Sequence, residues 1–186
     1  MEYRKINIAD KDYPEKLRKI KAPPHNIYAI GNLSLLHEDS ISVVGTRHIT
    51  DYGSRYGKMI CKEFAMRGIP IVSGMAVGAD TLAHKIALEY TGKTIAVLPS
   101  GLENIFPKQN VKLFNEIVKK DGLVISEYEP ELSANSKRFL ERNRIVAGLG
   151  VGLFVIEALF RSGTSVTAKI AKEQGKDVFA LPRKFR

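Results

Sequence analysis

The sequence of 186 residues is 44% hydrophobic and 26% charged, which is typical of a globular protein and excludes a disordered tail, a collagen-like chain and a disulfide-stabilised miniprotein. It has no run of the roughly 20 apolar residues that a transmembrane helix needs, no apolar signal-peptide centre, and a single cysteine, Cys61, which cannot form an internal disulfide. We therefore expect a soluble cytoplasmic protein without membrane association. The formal net charge of +9 favours polyanionic partners.

Residues 1–40 have a different pattern from the rest of the chain. The sequence predicts a short basic helix over 15–20, interrupted by Pro23 and Pro24, and an edge strand over 26–30. We interpret this segment as a small N-terminal lobe packed on a core of residues 41–186. Residues 1–186 would then form a single domain.

From residue 41 onwards, short apolar runs alternate with amphipathic stretches. The apolar runs are rich in β-branched residues and end at turn residues, which predicts buried strands over 41–44, 69–72, 94–98, 123–125, 151–156 and 178–181. The stretches between them predict helices over 52–66, 80–90, 110–120, 139–149 and 164–174. This alternation indicates an α/β fold with a doubly wound, mostly parallel sheet.

Ligands of such sheets bind beyond the carboxyl ends of the strands. The loops expected there include two glycine-rich segments that open a helix, 73–80 and 162–164. Free backbone N–H groups at a helix start can cradle an anion such as phosphate. The alternative is that the glycines only permit tight turns.

Few residues in these loops suggest catalysis or metal binding. Asp80 and His84 are four residues apart on one predicted helix, but two ligands are too few for a zinc site, and we expect Asp80 to cap the helix and His84 to pack or hydrogen-bond nearby. Glu127 and Glu157 each end a strand, and paired carboxylates could act in acid–base chemistry, but we expect at least one of them to hold loop N–H groups or a basic neighbour. Cys61 is expected in the core. The sequence therefore predicts no catalytic residues, no metal and no cofactor.

The densest basic cluster surrounds Phe139 and comprises Lys137, Arg138, Arg142 and Arg144, to which the neighbouring loops add Arg47, Lys108 and Arg161. Arginine beside an exposed aromatic side chain suits single-stranded nucleic acid, because the cation attracts phosphates and the ring stacks on a base. The alternative is that Phe139 is a core residue and that Arg142 and Arg144 pair with Glu127 or Glu157.

Several segments resemble the DprA/Smf DNA-processing family in the order in which that family carries them. They are YPEKLRKIKAPPHNIYAIGN (13–32), VVGTRHITDYG (43–53), SGMAVGADTLAH (73–84), TIAVLPSGLENIFP (94–107), FLERNRIVAGLG (139–150) and VIEALFRSGTSVTAKIAKEQGKDVFALP (155–182). Each segment alone is of modest specificity, whereas together they are highly specific and cover nearly the whole chain.

The resemblance implies an extended Rossmann-like fold and a protein that binds single-stranded DNA without reading its sequence. It also implies that the protein protects the strand, helps to load a RecA-type recombinase in transformation and recombination, forms a homodimer and has no enzymatic turnover. The DNA- or phosphate-binding positions carried over or inferred at the rim are Arg47, Gly74, Gly78, Lys137, Phe139, Arg142, Asn143, Arg144, Gly163 and Thr164.

The chain departs from the family pattern at two positions. Leu140 replaces the usual proline before the arginine-asparagine-arginine segment, and Arg183 replaces a glycine near the last residue. The family's winged-helix and SAM-like domains are expected to be absent from this chain.

Two other functions compete with DNA binding. The predicted fold resembles that of the LOG-type nucleoside-monophosphate phosphoribohydrolases, but Thr167 occupies the position of that family's glutamate after the Gly-Thr pair. The loss of this carboxylate weakens the hydrolase interpretation. A module that senses a small nucleotide without turnover is the third alternative.

Overall fold

The computed structural model describes residues 2–182, and Arg183 lies outside the described residues. The strands are β1 (Arg4–Asn7), β2 (Asn26–Gly31), β3 (Ser40–Val44), β4 (Ile71–Ser73), β5 (Thr94–Val97), β6 (Leu123–Ser126), β7 (Gly150–Val155) and β8 (Asp177–Ala180). The helices are α1 (Glu15–Arg18), α2 (Asp51–Met66), α3 (Ala79–Tyr90), α4 (Val111–Lys119), α5 (Ser136–Leu149) and α6 (Gly163–Glu173). None of these helices in residues 2–182 is both long enough and apolar enough to cross a membrane.

The described strands form one eight-stranded sheet in the order β1-β2-β6-β5-β4-β3-β7-β8. The pairs β1–β2 and β2–β6 are antiparallel, and the pairs from β6 to β8 are parallel. The doubly wound, mostly parallel sheet predicted from the alternation of strands and helices is thereby confirmed.

Helices cover both faces of this sheet. Leu17 of α1, Ile145 of α5 and Ala171 of α6 belong to one apolar cluster with strand residues. The opposite face is covered by α2, α3 and α4, and Cys61 of α2 is fully buried there. This burial confirms the predicted core position of the cysteine, and it raises the pKa of the Cys61 thiol to about 12.

The first forty residues extend the sheet, and the predicted edge strand over 26–30 is wrong in its position. β2 lies between β1 and β6, and the sheet edge is formed by β1, a strand that the sequence did not predict. β1 reads RKIN and buries only Ile6, so its apolar pattern is too weak to detect. The predicted helix over 15–20 forms a single turn, Glu15–Arg18.

The chain reverses its direction across the sheet at β3. From β3 it winds through β4 and β5 to β6, and it then returns by α5 to β7 on the other side of β3. The loops that leave β3 and β7 therefore lead to helices on opposite faces of the sheet. Such a switch point opens a crevice at the carboxyl ends of the strands.

Candidate nucleic-acid interface

A cleft of about 560 Å³ lies at this switch point. Its walls come from the loops after β3, β4 and β7 and from the first turns of α5 and α6. Seven of the ten predicted site residues line it, namely Arg47, Gly74, Phe139, Arg142, Asn143, Gly163 and Thr164. Gly78 does not line the cleft but packs against the backbone of Arg47. Lys137 lies in the first turn of α5, beside Ser136, which lines the cleft.

The loop between β4 and α3 is shaped by Gly78. This residue has φ +83° and ψ −123°, a conformation that residues with a Cβ rarely adopt, and an added Cβ would lie 2.5 Å from the carbonyl oxygen of Thr46 and 2.6 Å from that of Arg47. Gly78 therefore lets this loop pack directly against the loop that carries Arg47.

The carboxylate of Asp80 accepts hydrogen bonds from backbone N–H groups of the 73–80 loop, which the sequence suggested as donors to a bound anion. The helix begins at Ala79 with Gly78 as its N-cap, so the predicted capping role of Asp80 is wrong. Instead, its carboxylate accepts hydrogen bonds from the N–H groups of Gly74 at 3.1 Å and Ala76 at 3.2 Å. The carboxylate of the protein thus fills this part of the cradle.

Arg142 is 4% exposed and is bonded to the main chain of two strand ends. Its Nη1 donates to the carbonyl oxygens of Gly74 and Val97, and its guanidinium fills the space where a Cβ at Gly74 would lie. Burial lowers the pKa of Arg142 to about 10, against the opposing charge of Asp80. Burial also raises the pKa of Asp80, and Arg142 opposes that shift. This geometry favours a structural role for Arg142, with carbonyl oxygens rather than Glu127 or Glu157 as its hydrogen-bond partners.

Arg144 forms a bidentate ion pair with Glu127, in which both N–O distances are 2.6 Å. Its Nε also donates to the carbonyl oxygen of Ala22 at 2.8 Å, which ties α5 to the N-terminal segment. The pairing with Glu127 is the alternative that the sequence left open for this arginine. Glu157 has another partner, because its carboxylate accepts hydrogen bonds from the backbone N–H and the hydroxyl of Thr50 at the start of α2. The expectation that one of the two glutamates holds a loop N–H or a basic neighbour is confirmed for both.

Phe139 lies in the wall of the cleft and is partly exposed. The guanidinium carbon of Arg47 is 5.3 Å from the centroid of its ring, within cation–π distance. The half-exposed ring of Phe106 meets it edge-on, with centroids 5.5 Å apart. Arg47 itself is exposed. The structure thus brings an arginine and a solvent-accessible aromatic ring together, as the sequence suggested.

The first turn of α5 adds positive charge beside this pair. Asn135 caps the helix by accepting a hydrogen bond from the N–H of Arg138 at 2.9 Å, and the first turn contains no acidic residue. The side chain of Lys137 is 84% exposed, with its Nζ 3.5 Å from Glu141. A helix N-terminus carries partial positive charge, so this turn attracts anions.

A second helix N-terminus, that of α6, also lines the cleft. Ser162 and Ser165 form a capping box, and the hydroxyl of Thr164 donates to the carbonyl oxygen of Gly45 at 2.9 Å. The first-turn N–H groups of a helix have no partner within it, which leaves those of Gly163 and Thr164 for a ligand. A Cβ at Gly163 would meet no atom within 4 Å, so packing does not require glycine there. Asn143 also lines the cleft and accepts a long hydrogen bond of 3.4 Å from Nε of Arg142.

His84 is fully buried behind the cleft and forms no part of a metal site. Its Nδ1 is 2.7 Å from the hydroxyl of Thr94, which itself donates to the carbonyl oxygen of Ile71, so Nδ1–H is the donor to Thr94. Burial, together with the charge of Arg142, lowers the pKa of His84 to about 3. The predicted hydrogen-bonding role is confirmed. Within the described part of the chain, no group of three or more potential His, Cys, Asp or Glu ligands is placed to hold a metal ion.

Sequence reasoning missed two apolar side chains at the rim. Leu159 is 70% exposed and lines the cleft, and Phe160 beside it is 88% exposed. The sequence signal that could have revealed them is two consecutive large apolar residues in the loop between the end of β7 and the N-cap of α6, since a short loop of this kind has no element that would bury them. Of the other predicted rim cations, Arg161 adjoins Phe160, whereas Lys108 is exposed in the 3-10 turn Lys108–Asn110 and does not line the cleft.

The family model described as DNA recombination-mediator protein A matches residues 4–186. The chain belongs to this family. Among family relatives, Protein Smf from Escherichia coli is 41% identical over 170 residues, which cover 91% of this chain and 46% of the relative. DNA processing protein DprA from Bacillus subtilis is 38% identical over 95% of this chain and 60% of its own length. This chain therefore spans less than two thirds of these DprA/Smf relatives.

Solved structures of the family share the fold described above. An X-ray structure of DprA from Streptococcus pneumoniae has a TM-score of 0.94 and 39% identity, and the match covers 100% of this chain and 65% of that one. DprA from Helicobacter pylori, whose structure is described as giving insight into a unique single-stranded DNA binding mode, has a TM-score of 0.90 and 32% identity over 100% of this chain and 83% of its own. The molybdenum cofactor binding protein of Rippkaea orientalis, at 18% identity and a TM-score of 0.57 over 80% of this chain and 78% of its own, shares the fold alone.

Proposed function

We propose that this chain binds single-stranded DNA without sequence preference, through the cleft at the switch point of the sheet. The observation that supports this most directly is the exposed Arg47 guanidinium 5.3 Å from the partly exposed ring of Phe139. A ring that is open to solvent beside a cation offers a face for stacking a base and a charge for the adjoining phosphate. The single-stranded DNA binding described for the Helicobacter pylori relative agrees with this proposal.

The predicted site residues then divide into two roles. Arg47 and Lys137 contact phosphates, Phe139 stacks on a base, and the N–H groups of Gly163 and Thr164 receive a phosphate oxygen. Arg142, Arg144, Asn143, Gly74 and Gly78 position these groups, because the charges and the close backbone contacts described above are already used within the protein. The assignment of Arg142 and Arg144 as phosphate contacts is revised in this proposal.

The wider setting is part of the same proposal. We expect the bound strand to be protected and passed to a RecA-type recombinase, in keeping with the family description as a recombination mediator. We also expect the protein to act as a cytoplasmic homodimer. Light scattering of the purified chain measures its mass, and a monomer at all concentrations would contradict the dimer.

The experiment that tests DNA binding is a fluorescence anisotropy titration of a labelled single strand of roughly 20 nucleotides, a length that exceeds typical single-domain site sizes. The expected result is saturable binding that unlabelled strands of any sequence compete equally, duplex competes poorly and AMP does not compete. Arg47→Gln and Lys137→Gln should each weaken binding. Lys119→Gln should not, because Lys119 is exposed in the last turn of α4, which lies near the amino ends of the strands and away from the cleft. A folded protein that binds no single strand would contradict the proposal.

The two nucleotide-directed alternatives have less support from the cleft. Asp80 is the one carboxylate among the described side chains that line it, and its Oδ2 already accepts hydrogen bonds from the N–H groups of Gly74 and Ala76. Thr167, at the place of the hydrolase glutamate, donates to the carbonyl oxygen of Gly163 at 3.0 Å. A threonine hydroxyl is not a general base at neutral pH, so the position of the hydrolase glutamate lacks the carboxylate that this chemistry needs. Binding or hydrolysis of AMP in the same titration would revive the hydrolase interpretation.

A further inference from the structure

The loop between β7 and α6 carries an aromatic side chain that the protein leaves almost entirely in water. Phe160 is 88% exposed, more than any other large apolar side chain among residues 2–182. Its neighbours Leu159 and Ser162 line the cleft, whereas Phe160 lies beside the cleft, outside its lining. A contiguous exposed apolar surface at the mouth of a binding cleft indicates a contact with a ligand or partner.

This loop repeats the arrangement seen around Phe139. The guanidinium carbon of Arg161 is 5.3 Å from the centroid of the Phe160 ring, the same distance that separates Arg47 from Phe139. Arg161 adopts φ +55°, a left-handed conformation that is uncommon for a residue with a side chain. Both pairs combine one solvent-accessible ring with one arginine. Arg47 and Phe139 line the cleft, and Phe160 and Arg161 lie beside it, between the lining residues Leu159 and Ser162.

We propose that Phe160 and Arg161 form a second nucleotide-binding position, which stacks a further base of the same single strand as it leaves the cleft. This proposal rests on the proposed function, since it requires that the cleft holds a single-stranded nucleic acid. Every base has a face that can stack, so a second aromatic platform lengthens the bound segment without adding sequence preference. The arginine supplies a charge for the phosphate that accompanies the stacked base.

The surroundings favour a nucleic acid over a protein partner at this loop. Phe160 is flanked by Arg161 on one side and by the cleft with its exposed cations on the other, and the whole chain has a net charge of +9. A polyanion that already occupies the cleft reaches the loop without a second binding event, because Leu159 connects the two surfaces.

The test uses the absence of tryptophan from this chain. Phe160→Trp introduces a single fluorescent reporter at the proposed position. Phe179→Trp is the matched control, because Phe179 is 59% exposed on strand β8 and does not line the cleft. Titration of each variant with an oligothymidylate of roughly 20 nucleotides should quench the emission of Phe160→Trp with the same midpoint as the anisotropy signal of the labelled strand. The emission of Phe179→Trp should not change.

Affinity measurements complete the test. Phe160→Ala should weaken binding of the long oligothymidylate roughly 5- to 150-fold, the factor expected for one lost base–aromatic stack, and should affect a strand of roughly four nucleotides much less. Phe179→Ala should leave both affinities unchanged. Because both side chains are exposed, we expect all these variants to fold, which circular dichroism verifies.

The outcomes separate the two proposals. If the unmodified protein binds no strand, the proposed function fails. If single-stranded DNA binds but the emission of Phe160→Trp and the affinity of Phe160→Ala are unchanged, the second nucleotide-binding position is refuted. A protein partner would then be the better explanation for the exposed Phe160.

Discussion

Arg47 and Arg142 both approach the ring of Phe139, at 5.3 Å and 6.0 Å, yet their environments differ completely. Arg47 is exposed, whereas Arg142 is buried against carbonyl oxygens and the charge of Asp80. We predict that Arg142→Met lowers the free energy of unfolding by about 3–5 kcal/mol, because it leaves the carboxylate of Asp80 buried without its partner charge. Urea denaturation monitored by circular dichroism measures this change.

Arg47→Gln is the matched comparison for that variant. It should change the free energy of unfolding by less than about 1 kcal/mol, the size of an exposed cation–π contact, while it weakens binding of single-stranded DNA. An Arg142→Met protein with native stability and weakened DNA binding would place Arg142 among the phosphate contacts again.

His84 makes the stability of this protein depend on pH. It is the buried member of the four histidines, since His25, His37 and His48 are exposed. Its pKa is lowered to about 3 in the folded protein, so protonation favours the unfolded chain. The stabilisation is fully present above the unfolded pKa of about 6.5 and decreases as the pH falls from there towards 3. We predict a loss of about 1 kcal/mol in the free energy of unfolding between pH 7.5 and pH 5.5.

This pH dependence is measured by urea denaturation at the two pH values. His84→Gln should remove most of the difference, whereas His48→Gln, at the exposed mouth of the cleft, should retain it. An equal pH dependence in His84→Gln and the unmodified protein would show that another group is responsible.

At the scale of elements, the glycines at the starts of α3 and α6 differ in how much space their surroundings leave for a side chain. The loop before α3 needs Gly78, which has φ +83° and where an added Cβ would clash with two carbonyl oxygens, whereas a Cβ at Gly163 would meet no atom within 4 Å. We predict that Gly78→Ala lowers the free energy of unfolding by about 1–3 kcal/mol and weakens DNA binding, because it displaces the loop that carries Arg47. Thermal unfolding and anisotropy titration measure the two effects.

Gly163→Ala serves as the control for that substitution. It should keep native DNA affinity and raise the free energy of unfolding by up to about 1 kcal/mol, because alanine restricts the unfolded chain. If Gly163→Ala weakened binding as strongly as Gly78→Ala, a steric requirement of the ligand at α6 would be indicated instead.

The elements also show what sequence patterns reveal and what they leave hidden. Continuous apolar runs identify buried parallel strands such as β3 and β7, because both faces of the sheet are covered. β1 escapes this rule because it lies at the edge and buries only Ile6. The pairing of Asp80 with the N–H groups of Gly74 and Ala76 also has no sequence signal, since spacing alone does not show whether a carboxylate caps its helix or turns back to the preceding loop.

At the scale of the whole molecule, the topology explains why the basic residues meet. Arg47 follows β3, Lys137 and Phe139 begin the helix that returns to β7, and Arg161 follows β7. Because β3 and β7 are parallel neighbours, all of these segments lie at the carboxyl ends of the strands. Residues far apart in the sequence could therefore be assigned to one site before their contacts were known, whereas the burial of Arg142 depends on side-chain packing.

The net charge of +9 raises the question of whether DNA binds to this site or to the basic surface as a whole. Each phosphate neutralised on a single strand contributes about 0.7 to the slope of log affinity against log salt concentration. If the contacts are Arg47, Lys137 and Arg161, we predict a slope of about −2, and Arg47→Gln should reduce its magnitude by about 0.7. Anisotropy titrations at several salt concentrations measure both slopes.

Lys119→Gln is the control for this prediction. It also removes one positive charge, but near the amino ends of the strands and away from the cleft, so it should leave the slope unchanged. An equal reduction by both substitutions would mean that phosphates bind wherever cations are exposed, whereas a reduction by Arg47→Gln alone assigns the strand to the cleft.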